Sequence, residues 1–354
     1  MPMKNIFARL AFAAFACLLP CQKMTAQDRF VVMELNCENL FDTKHDSLKN
    51  DNEFLPGAIR GWSPRRYWKK LAHTAQTIVA VGEGQTPPDI VALCEVENDS
   101  VLYDLTRRSP LRNLGYKYCV TESPDARGID VAMLYQPETF KLIQSESFRI
   151  EHKVGQRPTR DILHVSGCVM SGDTLDVMVV HLPSMFGGRL KSEPFRVRVA
   201  EKIRQSADSI QSVRQKPKII IIGDFNDYPD SKPIAEVIGA LRPPLQGDSI
   251  KADSYYNLMN GKHKKNGKTI GTYRYKGYWN IIDHCIVNGL LLTDTENLCT
   301  TYEDAQICDF EFLLEPDLKF GGKKPFRTYN GMKYQEGYSD HLPIRIVFRN
   351  SYSR

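Results

Sequence analysis

The chain has 354 residues, 42% hydrophobic and 25% charged, with 47 Lys and Arg against 42 Asp and Glu for a formal charge of +5. That balance excludes a collagen-like, disordered or polytopic membrane chain and leaves enough apolar side chains to bury a core. Nine cysteines are too few for a small disulfide scaffold, so stability is expected from packing.

In chain order, Lys4 and Arg9 come before the apolar run Leu10–Leu19, and the chain turns polar at Gln22 and Lys23. This is the layout of a secretory signal, and the run is too short for a bilayer span, which takes about twenty residues. Cleavage after Ala26 would leave residues 27–354 as one domain, secreted or periplasmic. Lipid anchoring through Cys21 is the alternative, with Pro20 an unfavourable neighbour. Export would remove Lys4, Arg9 and Lys23 and no acid, so most of the net positive charge belongs to the discarded segment.

Strands are expected at Phe30–Asn36, Asp89–Glu95, Ile129–Tyr135, Ile162–Met170, Leu175–Leu182, Lys218–Gly223, Ile281–Val287 and Pro343–Phe348. Several are continuously apolar, as in sheets covered on both faces. Ser63 to Gly82 reads as a helix, with Ser63 as N-cap, Pro64 at the first helical position, and Tyr67, Leu71, Ala75 and Ile78 on one face. A second helix is expected from Ser192 to Val213, and Ser171–Thr174 as a hairpin turn. Cys37, Cys94, Cys119, Cys168 and Cys285 sit in apolar runs, where Cys packs as a small hydrophobe. Cys299 and Cys308 flank a polar stretch and are the pair best placed for a disulfide.

Acids and histidines gather at the ends of these strands. Val91 to Cys94 runs into Glu95, Ile219 to Ile222 into Gly223-Asp224-Phe225-Asn226, Ile281-Ile282 into Asp283-His284, and Ser339-Asp340-His341 precedes the last strand. Charges at such points are costly to desolvate without a cation or a partner. Carboxylates with an amide oxygen form a hard donor set for Mg²⁺, Mn²⁺ or Ca²⁺, since zinc would call for more His or Cys. Such an ion holds a phosphoryl oxygen, and protonated histidines donate to phosphate, so hydrolysis of a phosphate ester follows.

Asn36, Glu95, His181-Leu182-Pro183-Ser184, Gly223-Asp224-Phe225-Asn226, Asp283 and Ser339-Asp340-His341 resemble, in order, the motifs of the endonuclease/exonuclease/phosphatase superfamily. The resemblance covers residues 30–349 and implies a four-layer α/β sandwich, two mixed sheets face to face with helices outside. It implies a metal held by Glu95 and Asn36, with Asp340 buried or close to the metal. Asp224 would deprotonate water, with Asn226 positioning it. Asp283 would orient His341 at the scissile phosphate, with His181 a second phosphate contact. Two positions depart from the pattern: Cys94 stands where Gln is common, and Val179 where Asn is common, so His181 is expected to be held differently.

Other readings remain beside these. Gly223–Asn226 alone also fits a strand followed by an Asx turn. Glu97 and Asn98 read as a helix-capping pair and His284 as a packing residue. Arg127 is either a phosphate contact or an ordinary loop arginine. His45, His73, His152, His164 and His263 carry no motif. Lys264 and Lys265, in a Lys-rich run followed by Tyr273, Arg274, Tyr275, Tyr278 and Trp279, could track a polyanion and stack bases, or form a solvated loop. The expected partner is a phosphodiester, nucleic acid first, taken by a monomer without a stable membrane span. A phosphatase or sphingomyelinase-like phospholipase of the same chemistry is the alternative, and an inactive binding protein on the same fold is the alternative of another class.

Overall fold

The computed structural model describes residues 29–82, 86–152, 157–244, 249–293 and 296–350. The expected signal segment, with Cys21, lies outside them. In chain order the sheet strands are β1 (Arg29–Leu40), β2 (Ile90–Val96), β3 (Lys117–Val120), β4 (Asp130–Tyr135), β5 (Phe140–Phe148), β6 (Ile162–Val169) and β7 (Thr174–His181). They continue with β8 (Lys218–Asp224), β9 (Ala240–Leu241), β10 (Tyr255–Asn257), β11 (Asp283–Asn288), β12 (Leu298–Cys299), β13 (Ala305–Ile307) and β14 (Ile344–Asn350).

One sheet has the order β12-β14-β1-β2-β4-β3, with β13 also on β14; the other runs β5-β6-β7-β8-β11-β10-β9. β1 with β2, β7 with β8, and β9 with β10 are parallel, and the remaining pairs antiparallel. Both sheets are therefore mixed, as expected.

Side-chain alternation along each strand explains the continuous apolar runs. From the first sheet, Val32, Ala92, Cys94, Val131 and Met133 pack against Val165, Val177, Val179, Ile220, Ile222 and Cys285 of the second. The other face of the first sheet, including Met33, Leu35, Val91 and Leu93, is covered by α1 (Pro64–Val81) through Leu71, Ala75 and Ile78. The outer face of the second, with Met178, Val180, Ile219 and Ile221, takes Val199, Ala200, Ile203 and Ala207 of α3 (Arg189–Val213). The order of layers is helix, sheet, sheet, helix, the four-layer α/β sandwich read from the sequence. No helix among the described residues is long and apolar enough to cross a membrane.

α1 begins where its capping residues put it: the Ser63 side chain accepts from Arg66 N, and Pro64 opens the first turn. α3 starts three residues before the expected Ser192 and carries Pro194 inside it. β5 was not legible as a strand because it is a sheet edge: of its nine residues only Phe140 is buried, so neither apolar alternation nor an apolar run marks it. None of the seven described cysteines is in a disulfide. The expected Cys299–Cys308 bridge is absent; Cys308 packs in the apolar layer beneath α1 instead.

Candidate active site

β1, β2, β7 and β8 all run toward one end of the sandwich, and β11 and β14 start there. In the registers, Asp283 stands opposite Asp224 and His181 opposite Asp224 from the other side, which brings the three strand-end motifs of the second sheet together. β1 and β2 end in irregular pairing. The ladder shifts between Asn36 and Leu40 and between Cys94 and Val96, and Glu38, Asn39 and Glu95 take left-handed backbone. Such bulges re-aim side chains, and strained backbone of this kind gathers at functional sites. Asn226 is left-handed too.

Asp224 is the hub. Its Oδ1 accepts from Asn226 N at 2.7 Å, and its Oδ2 accepts from Asn226 Nδ2 and Asn36 Nδ2, each at 3.0 Å. His181 Nε2 lies 3.5 Å from Asp224 Oδ2 and 3.9 Å from Glu95 Oε1. Glu95 Oε2 accepts from Asn39 N at 2.9 Å, and Arg127 Nη2 stands 3.6 Å from Oε1. His341 Nδ1 bonds both oxygens of Asp283, at 3.0 and 2.8 Å, which leaves Nε2 for a substrate. Ser339 anchors this loop: its hydroxyl donates to Asn36 O at 2.6 Å and accepts from His341 N at 3.1 Å.

The two histidines differ in charge. Burial opposes protonation of His341, but Asp283 outweighs it and holds the imidazole well above its usual value. Burial, with Arg160, Arg127 and His341 nearby, pushes His181 well below its usual value. Where protonation of both was expected, the surroundings push the two imidazoles in opposite directions. Val179 sits in the inter-sheet core, and His181 Nδ1 has no hydrogen-bond partner, so this ring is set by packing. At the other departure, Cys94 Sγ donates across the sandwich to Val180 O at 3.3 Å.

Burial first, and then Asp283, push the Asp224 carboxyl up. Beneath it Glu34 is fully buried, and burial, then Asp283, hold its carboxyl well above the usual carboxylate range. Four carboxyl groups so placed repel one another, which a divalent cation would relieve, so the hard oxygen donors here fit such an ion. Among the described residues, Asp224, Asp283 and His341 form the one compact carboxylate–imidazole group, with ligand atoms within 4.8 Å of one another. Glu95 and Asp340 stand outside it. The expected metal pair lies beside this group, with Asn36 Oδ1 accepting from Glu38 N and Glu95 Oε2 from Asn39 N, each at 2.9 Å.

Other expected residues lie elsewhere. Asp340 Oδ2 accepts from Arg327 Nη2 at 2.7 Å, and Arg327 also reaches Glu38 at 3.3 Å, so Asp340 faces that arginine. Lys265 is paired with Asp309 at 2.6 Å, whereas Lys264 is exposed on the Lys264–Thr269 hairpin. Arg274 is locked between hairpins, with Asp317 at 3.3 Å and Gly321 O at 2.7 Å, while Tyr275, under the Lys276 ammonium, and the 77%-exposed Tyr278 are exposed at the tip. Asn98 caps α2 (Asp99–Tyr103); Glu97 instead accepts from Asp42 N at 2.7 Å. His284 is structural, bonded to Asp227 O and Asn257. Sequence reasoning missed Arg160, which carries no motif, and Glu34, although an acid inside an apolar strand was visible there.

Residues 31–350 match the family model described as the Endonuclease/Exonuclease/phosphatase family. No curated relative matches the sequence. Among solved structures, the Bacteroides thetaiotaomicron mannosyl-6-phosphatase is 14% identical, with 90% of this chain and 99% of that one covered and a TM-score of 0.54. A humanized D. rerio TDP2 is 15% identical, covering 91% and 99%, with a TM-score of 0.53. The human Nocturnin catalytic domain with bound sulfate anion is 16% identical, covering 91% and 95%, with a TM-score of 0.52. At these identities the likeness is one of fold.

Proposed function

The chain belongs to the endonuclease/exonuclease/phosphatase family, and from that premise we propose that it is an exported, Mg²⁺-dependent phosphodiesterase that cuts nucleic acid by in-line attack of water. Membership makes it a metal-dependent phosphoric ester hydrolase; the ion, the substrate and the compartment are what the proposal adds. The observation that carries it is Asp224, buried and raised, held by three amide hydrogens within reach of the Asp283–His341 pair.

Asp224 accepts the proton of the attacking water; its raised value makes it a stronger base than a free carboxylate. Asn226 fixes the carboxylate through two bonds and so sets the line of attack. His341, kept charged by Asp283, donates from Nε2 to a phosphoryl oxygen as negative charge builds. His181, neutral, packs beside Asp224 without competing as a second cation. Glu95 and Asn36 would hold the ion, which supplies neutralising charge at the phosphoryl group. Arg127, half-exposed beside Glu95, takes a further phosphate oxygen.

Nucleic acid is supported by Lys264, Tyr275 and Tyr278 at exposed positions, where phosphates and bases would meet them. A phosphomonoester is the second reading, favoured by the guanidinium of Arg127 beside the metal-side carboxylate. A substrate panel separates them: supercoiled plasmid read by nicking, RNA, sphingomyelin, inositol phosphates and an aryl phosphodiester, each with Mg²⁺ or EDTA. The proposal expects nucleic acid and the diester to be cut with Mg²⁺ only. Cleavage confined to monoesters would overturn the substrate assignment. Processing is read separately, by sequencing the N-terminus of exported protein, with Gln27 expected first.

A further inference from the structure

We infer that Arg160 is a positioning residue that fixes Arg127 against the Asp224–Asn226 loop, so that one phosphate meets both; the inference rests on the phosphoesterase reading above. Arg160 lies two residues before β6, and the β6–β7 register, carried past Leu163 opposite Val179, sets it beside Leu182. The residue is only 7% exposed.

Its guanidinium works as a fork between the two sheets. Nη2 donates to Leu182 O at 2.7 Å. The same carbonyl accepts from Asn226 Nδ2 at 3.1 Å, so this arm is anchored to the water-activating side. Nη1 reaches Asp125 Oδ2 at 3.3 Å, and Asp125 Oδ1 accepts from Arg127 N at 3.0 Å. Lys49 Nζ pins the same loop, to Ser123 O at 2.6 Å and Asp125 O at 3.2 Å. The Arg127 side chain then spans to Asn39 Oδ1 at 3.4 Å and Glu95 Oε1 at 3.6 Å.

A buried charge is tolerated only with a partner, and Asp125 supplies it. A planar fork with donors in fixed directions can serve Asp125 and Leu182 together, whereas a lysine ammonium would reach one of them. Arg160 feels Glu95 only through its charge and hydrogen-bonds Asp125 and Leu182 instead, so its part is to hold the Arg127 loop at a set distance from the Leu182–Asn226 turn. Small displacements of a phosphate-binding group are felt strongly in rate.

The test is a double-mutant cycle in the full chain on bis(4-nitrophenyl) phosphate with Mg²⁺, using Arg160→Lys, Arg127→Ala and the double variant. Arg160→Lys should lower kcat/KM by about tenfold or more, and most of that loss should vanish when Arg127 is already Ala. Asp125→Asn, which weakens the pair and leaves the fork in place, should behave the same way and serves if Arg160→Lys melts early. If the losses multiply in both cycles, Arg160 does not act through Arg127 and the inference fails while the function stands. If wild type cleaves no phosphate ester with Mg²⁺, the functional reading fails and takes this one with it.

Discussion

Arg196 shows how much of the site depends on a residue outside it. Its side chain is fully buried on α3 and donates to Asp227 Oδ2 at 2.7 Å, to Ser192 Oγ at 2.8 Å and to Arg189 O at 2.9 Å. Asp227 closes the loop that carries Asp224 and Asn226. Removing Arg196 leaves the buried Asp227 only the more distant Arg189 Nη1, at 3.5 Å, so Arg196→Ala should cost about 3 kcal/mol in chemical unfolding. Gly223 is the second such residue. Its φ is +148°, and an added Cβ would stand 1.9 Å from Val180 O, so Gly223→Ala must force β8 away from β7. Asp224 then shifts, and kcat on a phosphodiester should fall by about a hundredfold. At this scale the motif residues were legible because they break apolar runs at strand ends. Arg160 was not, because a lone arginine ahead of a strand gives no sign of which carbonyl it will meet.

β5 is the element the sequence concealed, and it is tied down by a charged cluster. His164 on β6 bonds Glu146 of β5 at 2.9 Å through Nδ1 and Asp176 of β7 at 3.0 Å through Nε2. Arg214 adds two bonds to Asp176, each at 3.0 Å. Burial works against the His164 charge, but the hydrogen bonds to Asp176 and Glu146 outweigh it and raise the imidazole. Burial likewise raises Asp176, but His164, Arg214 and Ser166 outweigh it and take it down to about 2. For a raised imidazole, the stabilisation is complete below the unfolded value of 6.5 and is lost as pH climbs through the folded one. Thermal melting should therefore drop over that interval in wild type, and His164→Gln should flatten the drop. An equal slope in the two proteins would exclude His164 as its source. The strands that were foreseen owe their legibility to burial on both faces; β5, with an open edge, has no such signature. The bulges ending β1 and β2 were hidden for a different reason, since left-handed Glu38, Asn39 and Glu95 are set by the ladder and not by residue type.

Across the described residues, four layers are packed so that six strand ends open on one face, where the candidate active-site residues gather. Net charge contributes little to substrate choice, because three basic residues belong to the segment expected to be removed. Any polyanion must be held by local cations such as Lys264 and Lys268, both exposed on one hairpin. Charge reversal at both should weaken DNA binding and reduce the slope of log affinity against log salt by about two. An unchanged slope would remove that hairpin from the binding surface. The architecture was legible through the family resemblance that the motif order carries, while the substrate wall was not: Arg274 and Lys265 belong to the basic stretch, yet one is locked by Asp317 and the other paired with Asp309. Contacts between distant loops decide which charges stay available.

The role proposed for Asp224 is to activate water in a metal-dependent phosphodiester hydrolysis. The direct measurement is the rate of bis(4-nitrophenyl) phosphate cleavage by purified full-length protein with Mg²⁺, with EDTA, and with Mg²⁺ and Asp224→Ala. Cleavage should require Mg²⁺ and fall by about 10²–10⁴-fold in Asp224→Ala, with melting showing the variant folded. Cleavage that survives EDTA, or a folded Asp224→Ala as fast as wild type, would contradict it.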